Sequence, residues 1–226
     1  MTTMIFKLVK YLNIINWIYP NYCRECGLFI NSDIGLCEKC KQKIKLIVST
    51  SLPITPKYSL NIFSISDYTP PLKSFILRKF YDEPLASKQL GKLVCEFTPI
   101  KNFEFDYIIP IPLHWTRYAK RGFNQSKIMS KEIGKICNVP VLDCLSRVKR
   151  TKFQSHLSGI DKEKNLKNAF RLKKRKIEKL KDILKNKRIL IVDDLSTSGA
   201  TLKNAARILV DLNPYSLFAV VVCRKL

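Results

Sequence analysis

Residues 189–202 read Ile189-Leu-Ile-Val-Asp-Asp-Leu-Ser-Thr-Ser-Gly-Ala-Thr-Leu202, and this stretch decides the fold. Ile189 to Val192 is a short apolar run that suits a buried strand. Two carboxylates follow at its carboxyl end, where open α/β sheets bind ligands. Small hydroxyl residues around Gly199 then lead into a helical pattern from Ala200 to Leu212. Amides at that helix start, with the hydroxyls of Thr197, Ser198 and Thr201, make a cradle for one phosphate. Asp193 and Asp194 repel a phosphate but suit sugar hydroxyls, which donate to carboxylates. A phosphate beside a carboxylate-bound diol describes a ribose 5-phosphate. The aspartates could also hold magnesium, although nothing near them suggests a two-metal nuclease. The chain contains neither GxxxxGK[ST] nor GxGxxG, so P-loop and dinucleotide-fingerprint readings fall away.

Outward from this stretch, strand and helix patterns alternate. Asn61 to Tyr68, Tyr107 to Ile111 and Ser216 to Cys223 read as strands. Residues 71–80, 84–97 and 123–137 read as helices, the first two opened by a proline in or near the first turn. Residues 48–60, with Pro53 and Pro56, read as a linker. The alternation predicts an α/β fold: a mostly parallel sheet with helices on both faces.

Eight cysteines are present, and four form two matched pairs: Cys23-Arg-Glu-Cys26-Gly and Cys37-Glu-Lys-Cys40. Two residues between paired thiols let both sulfurs face one point, and Gly27 suits the left-handed backbone of such a knuckle. Two knuckles supply four thiolates, a closed tetrahedral site for structural Zn2+. Four thiolates can also hold an iron–sulfur cluster. Cys95, Cys137, Cys144 and Cys223 sit among apolar neighbours and read as inert core thiols in a reducing compartment. The boundaries expected are a helix and a four-cysteine zinc module over 1–50 and an α/β domain over 51–226.

The chain has 226 residues, 46% apolar and 26% charged, the composition of a folded protein. Its net charge is +23. Residues 1–110 hold 14 basic and 9 acidic side chains, whereas 111–226 hold 27 and 9. Such asymmetry suits a polyanionic partner, nucleic acid, anionic membrane or a phosphorylated substrate, and equally a drift of surface composition. The segment Lys167–Arg188 carries 11 bases against Glu178 and Asp182, either a solvated face or a polyanion contact. Ile5, Leu8, Leu12 and Ile15 have helical spacing, but Lys7 and Lys10 interrupt the run, and Ile5–Tyr19 is too short to span a bilayer. With no signal-peptide pattern, a cytoplasmic location is expected.

The 189–202 stretch resembles the phosphoribosyl-pyrophosphate (PRPP) motif of type I phosphoribosyltransferases. Three further segments narrow the likeness: Ile109-Pro-Ile-Pro-Leu113, Arg121-Gly-Phe-Asn-Gln125, and Leu145-Ser-Arg147 with Thr151, Gln154 and Leu157. With the two CxxC pairs, the chain resembles the ComF (GntX-like) family over nearly its whole length. It departs from the family pattern at Leu195 (usually Val), Ser198 (usually Thr) and Lys164 (often Arg).

The resemblance implies a type I phosphoribosyltransferase-like domain behind a zinc ribbon, a PRPP ligand with Mg2+, and a role with single-stranded DNA in natural transformation. It implies a sugar-phosphate site of Asp193, Asp194, Thr197, Ser198, Gly199, Ala200 and Thr201. Arg117, Lys120 and Arg121 become candidate pyrophosphate partners. A competence helicase or translocase is the partner that this context suggests. The other readings are a phosphoribosyltransferase of nucleotide metabolism with no DNA role, and a DNA-binding regulator that senses PRPP. The acceptor substrate and a general base are not named by any motif. Trp115, Tyr118 and Phe123, interleaved with bases, could stack nucleobases or pack locally.

Overall fold

The computed structural model describes residues 21–47, 49–78, 84–148, 169–173 and 177–225. The helix expected over Ile5–Tyr19, the residues Thr151, Gln154, Leu157 and Lys164, and Lys167 and 174–176 of the basic segment lie outside them.

Strands β1 (Asn21–Tyr22) and β2 (Phe29–Ile30) form a small antiparallel hairpin, followed by the short helix α1 (Glu38–Lys41). The central sheet has the order β3 (Thr50–Pro53), β4 (Ser59–Asp67), β10 (Ser216–Arg224), β8 (Arg188–Val192), β5 (Tyr107–Pro110). β4, β10, β8 and β5 are mutually parallel, and only β3 runs antiparallel on the edge. The two residues of β9 (Leu195–Ser196) pair with the end of β10. β6 (Leu145–Arg147) and β7 (Phe170–Leu172) pair separately. The helices are α2 (Leu72–Arg78), α3 (Pro84–Phe97), α4 (Trp115–Arg121), α5 (Gln125–Cys137), α6 (Ile177–Leu184) and α7 (Ala200–Val210).

The expected α/β class is the observed one, and its cause is legible in the strands. Neighbours along a strand point to opposite faces. Ile108, Leu190 and Val220 enter the core shared with α2, α3 and α5, where Phe75, Leu90, Met129 and Ile133 are buried. Ile109, Ile191 and Val221 enter the other core, with Leu180 and Leu184 of α6 and Leu202, Ala205 and Leu209 of α7. Unbroken apolar runs are therefore what a sheet covered on both faces requires.

One expectation is corrected. The stretch read as a linker contains β3, whose Thr50–Pro53 pairs with Ser59–Ile62 of β4. Pro53 sits at the end of an edge strand, where its missing donor costs no ladder bond.

The cysteine-bearing segment has no core of its own. Ile30, Leu36, Cys37, Cys40 and Ile44 belong to the same buried cluster as Phe75 and Leu90. Arg24 Nε donates to Gln89 Oε1 at 3.1 Å, and Lys41 Nζ pairs with Glu96 at 3.0 Å. Lys92 pairs with Asp33. Among the described residues no helix is long and apolar enough to cross a membrane.

Candidate functional site

Because four strands are parallel, their carboxyl ends share one edge. The register sets Pro110, Val192 and Val220 side by side. Asp193 and Asp194 leave the sheet at this edge. The Asp193 amide donates to the Val220 carbonyl at 3.1 Å, and the Asp194 carbonyl accepts from Val222 at 3.2 Å. Both carboxylates are half-buried. Asp193 Oδ1 accepts from Ser126 Oγ at 3.0 Å and from the Asp194 amide at 2.9 Å. Asp194 has other neighbours. Burial first, and then the nearby Cys223 and Asp194, hold the Tyr68 hydroxyl above its usual pKa.

The loop that follows has the expected form. Leu195 to Leu202 line a hollow of ≈ 80 Å³. Gly199 has φ +70° and caps α7, whose first residues are Ala200 and Thr201. Thr197 and Ser198 are exposed at its rim, and Thr201 is half-buried. All seven residues of the expected sugar-phosphate site thus lie at one corner of the sheet.

The cations arrive from the loop after β5. The Ile111 amide donates to the Val192 carbonyl at 2.9 Å, and Asn124 Nδ2 donates to the Ile111 carbonyl at 3.0 Å. Asn124 Oδ1 also caps α5, accepting from the Lys127 amide at 3.4 Å. Between them α4 begins at the His114 cap and ends at Gly122, φ +73°. Arg117 and Arg121 are one turn apart on it. Burial lowers the pKa of Arg121, Asp194 counters by raising it, and Arg117 adds to the lowering. Lys120 is exposed.

Sequence reasoning left two participants out of the candidate site. Arg147 of β6 is drawn in by the backbone bridge between His114 and Arg147, and its guanidinium lies 5.4 Å from the Phe170 ring centroid. Burial and then Arg117 lower its pKa, while Asp193 raises it. Ser126 is 4% exposed. Both lie in or beside motifs that carried the resemblance, yet nothing local said that they meet the aspartates. Three guanidiniums beside two carboxylates leave a positive excess, and guanidinium forks match phosphate oxygens.

The four cysteines converge as expected. Their sulfurs all lie within 4.8 Å of one another, with Cys26 and Cys37 Sγ 3.7 Å apart. A tetrahedron with Zn–S of about 2.3 Å needs edges of about 3.8 Å. Gly27 has φ +75° and its amide closes the first knuckle on the Cys23 carbonyl at 2.9 Å. Burial tends to raise the Cys23 thiol, but the amides of Cys26, Cys37 and Glu25 bring it down to about 6. Burial and the neighbouring sulfurs push Cys40 up. The donor set can hold a metal ion. Elsewhere, burial pushes Cys95 and Cys144 up to about 12, the behaviour of inert thiols.

The basic segment is less bare than its composition suggests. Lys173 pairs with Asp143, Lys181 with Glu178, Lys187 with Asp106 and Arg188 with Glu104.

Comparison with known proteins adds to this geometry. Residues 119–226 match the phosphoribosyl transferase domain family. Competence protein F of Haemophilus influenzae is 28% identical over 197 residues, covering 83% of this chain and 78% of that protein. DNA utilization protein YhgH of Salmonella typhi is 28% identical over 216 residues, covering 90% and 84%. Among solved structures, the B. subtilis glutamine PRPP amidotransferase aligns with a TM-score of 0.43 and 13% identity, covering 65% of this chain and 30% of that one.

Proposed function

Since the chain is a ComF-family phosphoribosyltransferase-like protein, we propose that it binds PRPP at the Asp193–Thr201 corner and handles single-stranded DNA during DNA uptake, in the cytoplasm. The observation that carries the first half is the adjacency of a dicarboxylate to a loop-lined hollow at a helix start. Asp193 and Asp194 would accept from the ribose hydroxyls. The amides and hydroxyls of residues 197–201 would hold the 5-phosphate. Arg117, Arg121 and Arg147 would neutralise the pyrophosphate, with Lys120 at the rim. Mg2+ carried with PRPP would share that task.

The same arrangement suits phosphoribosyl transfer, in which the bond from the anomeric carbon to pyrophosphate breaks and an acceptor takes its place. Preorganised cations would stabilise the leaving pyrophosphate. The four-cysteine cluster would hold Zn2+ as a closed, structural site. The DNA half rests on the names borne by the competence and DNA-utilization relatives and on the +23 charge. A competence helicase or translocase is the partner that such a role calls for.

Calorimetry with PRPP and Mg2+ tests the site. The wild type should bind, and Asp193→Ala/Asp194→Ala should abolish binding. Unchanged affinity in that double variant refutes the assignment.

A further inference from the structure

The Asp193 carboxylate is held by a residue of α5. Asp193 Oδ1 accepts two hydrogen bonds, from Ser126 Oγ at 3.0 Å and from the Asp194 amide at 2.9 Å. Two donors on one oxygen fix the plane of the carboxylate, so its second oxygen has a single direction. Ser126 is 4% exposed, so its hydroxyl pairs in a site from which water is largely excluded. Its own position is set by the Asn124 cap two residues earlier, and Asn124 in turn holds the Ile111 carbonyl at 3.0 Å. Ile111 is bonded to Val192, the residue before Asp193, at 2.9 Å. A closed ring of contacts therefore runs from β8 through the loop after β5 and α5 back to the Asp193 side chain.

We propose that Ser126 is a positioning residue that makes Asp193 the fixed, hydroxyl-selective acceptor of the site. This rests on the ribose 5-phosphate reading of the site. A rigid acceptor rejects a sugar that lacks the matching hydroxyl, because no ligand donor then repays the carboxylate's partial desolvation. With the Ser126 hydroxyl removed, the carboxylate can turn and pays far less. Ser126 therefore acts on selectivity between sugars more than on affinity for any one of them.

The test is calorimetry of the full-length protein with ribose 5-phosphate, 2-deoxyribose 5-phosphate and 3-deoxyribose 5-phosphate. The wild type should disfavour at least one deoxy sugar by about 10-fold or more, the value of a hydrogen bond to a charged acceptor. Ser126→Ala should bring that ratio below about 3-fold while weakening ribose 5-phosphate itself only a few-fold. Asp193→Asn, which keeps the shape and the Ser126 contact, should weaken ribose 5-phosphate more than Ser126→Ala does. If Ser126→Ala weakens all three sugars by one common factor, its role is structural and the inference falls. If the wild type binds ribose 5-phosphate yet treats all three sugars alike, the inference falls while the site reading survives. If the wild type binds none of them, the site reading itself falls, and the inference with it.

Discussion

A Cβ placed on Gly199 would lie 2.5 Å from Leu52 Cδ1, so the edge strand β3 packs directly against the loop that opens α7. Gly199 also has φ +70°, a conformation costly for any residue with a Cβ. Gly199→Ala should therefore lose about 1–3 kcal/mol in urea unfolding and weaken PRPP binding. Adding Leu52→Ala removes the clash but not the backbone strain. The double variant should thus recover loop geometry, read as PRPP affinity, better than the sum of the two single effects. Strict additivity would show that Leu52 and Gly199 are not in contact.

Asp143 joins two elements that frame the site. It accepts from Lys127 Nζ of α5 at 2.7 Å and from Lys173 Nζ, next to β7, at 2.7 Å. Burial tends to raise its pKa, but the two ammonium groups outweigh that and hold it below the usual carboxylate range. A depressed pKa means stability that is present above the unfolded value of about 3.9 and lost as pH falls through the folded value. The lysines are partly exposed, so screening trims the effect. Asp143→Asn should cost about 1 kcal/mol at pH 7, and the gap between wild type and variant should narrow as pH falls below about 4 and through the folded value of Asp143. A gap that does not narrow on acidification would assign the loss to packing instead.

Metal removal should be felt by the whole domain. Leu36, Cys37 and Cys40 are buried in the same cluster as Phe75 of α2 and Leu90 of α3. Cys37→Ser/Cys40→Ser should abolish bound zinc in elemental analysis and cost about 4 kcal/mol or more. Thermal unfolding should shift as one transition, with faster amide exchange in α3. A separate early transition that leaves α3 protected would show that the cysteine segment is energetically independent.

The strands that build the site were legible because each is an unbroken apolar run buried on both faces, as in Ile189–Val192 and Tyr107–Ile111. β3 was not, because an edge strand with Leu52 as its one large apolar residue has no such run. α4 was missed because it buries none of its residues and so shows no apolar period. Arg147 reaches the site through its bridge to His114 and the pairing of β6 with β7, two three-residue strands separated by 22 positions. Local pattern cannot signal such a contact. The dicarboxylate and the hydroxyl-rich loop were readable because they are contiguous in sequence, whereas the arginines near them come from two distant elements.

For single-stranded DNA, α4 offers exposed aromatic rings beside the candidate site. Arg121 of this helix is electrostatically coupled to Asp194, and Arg117 to Arg121 and Arg147, while Trp115 and Tyr118 are 71% and 52% exposed. Phe123 is half-buried and fits local packing better than stacking. Base stacking on an aromatic ring is worth about 1–3 kcal/mol per base. Trp115→Ala/Tyr118→Ala should therefore weaken oligo(dT) binding by about 10-fold or more on that scale, while PRPP affinity stays within about 2-fold. Wild-type binding should fall steeply between low and moderate salt, since phosphate contacts release counterions. One short helix carries both sets of side chains, so filling the pyrophosphate site should alter DNA affinity, and DNA should alter PRPP affinity by the same factor. Fluorescence anisotropy with and without PRPP and Mg2+ measures that factor. A value of one, with intact binding of each ligand alone, makes the two sites independent. Unchanged DNA affinity in the aromatic double variant moves the nucleic-acid surface away from α4.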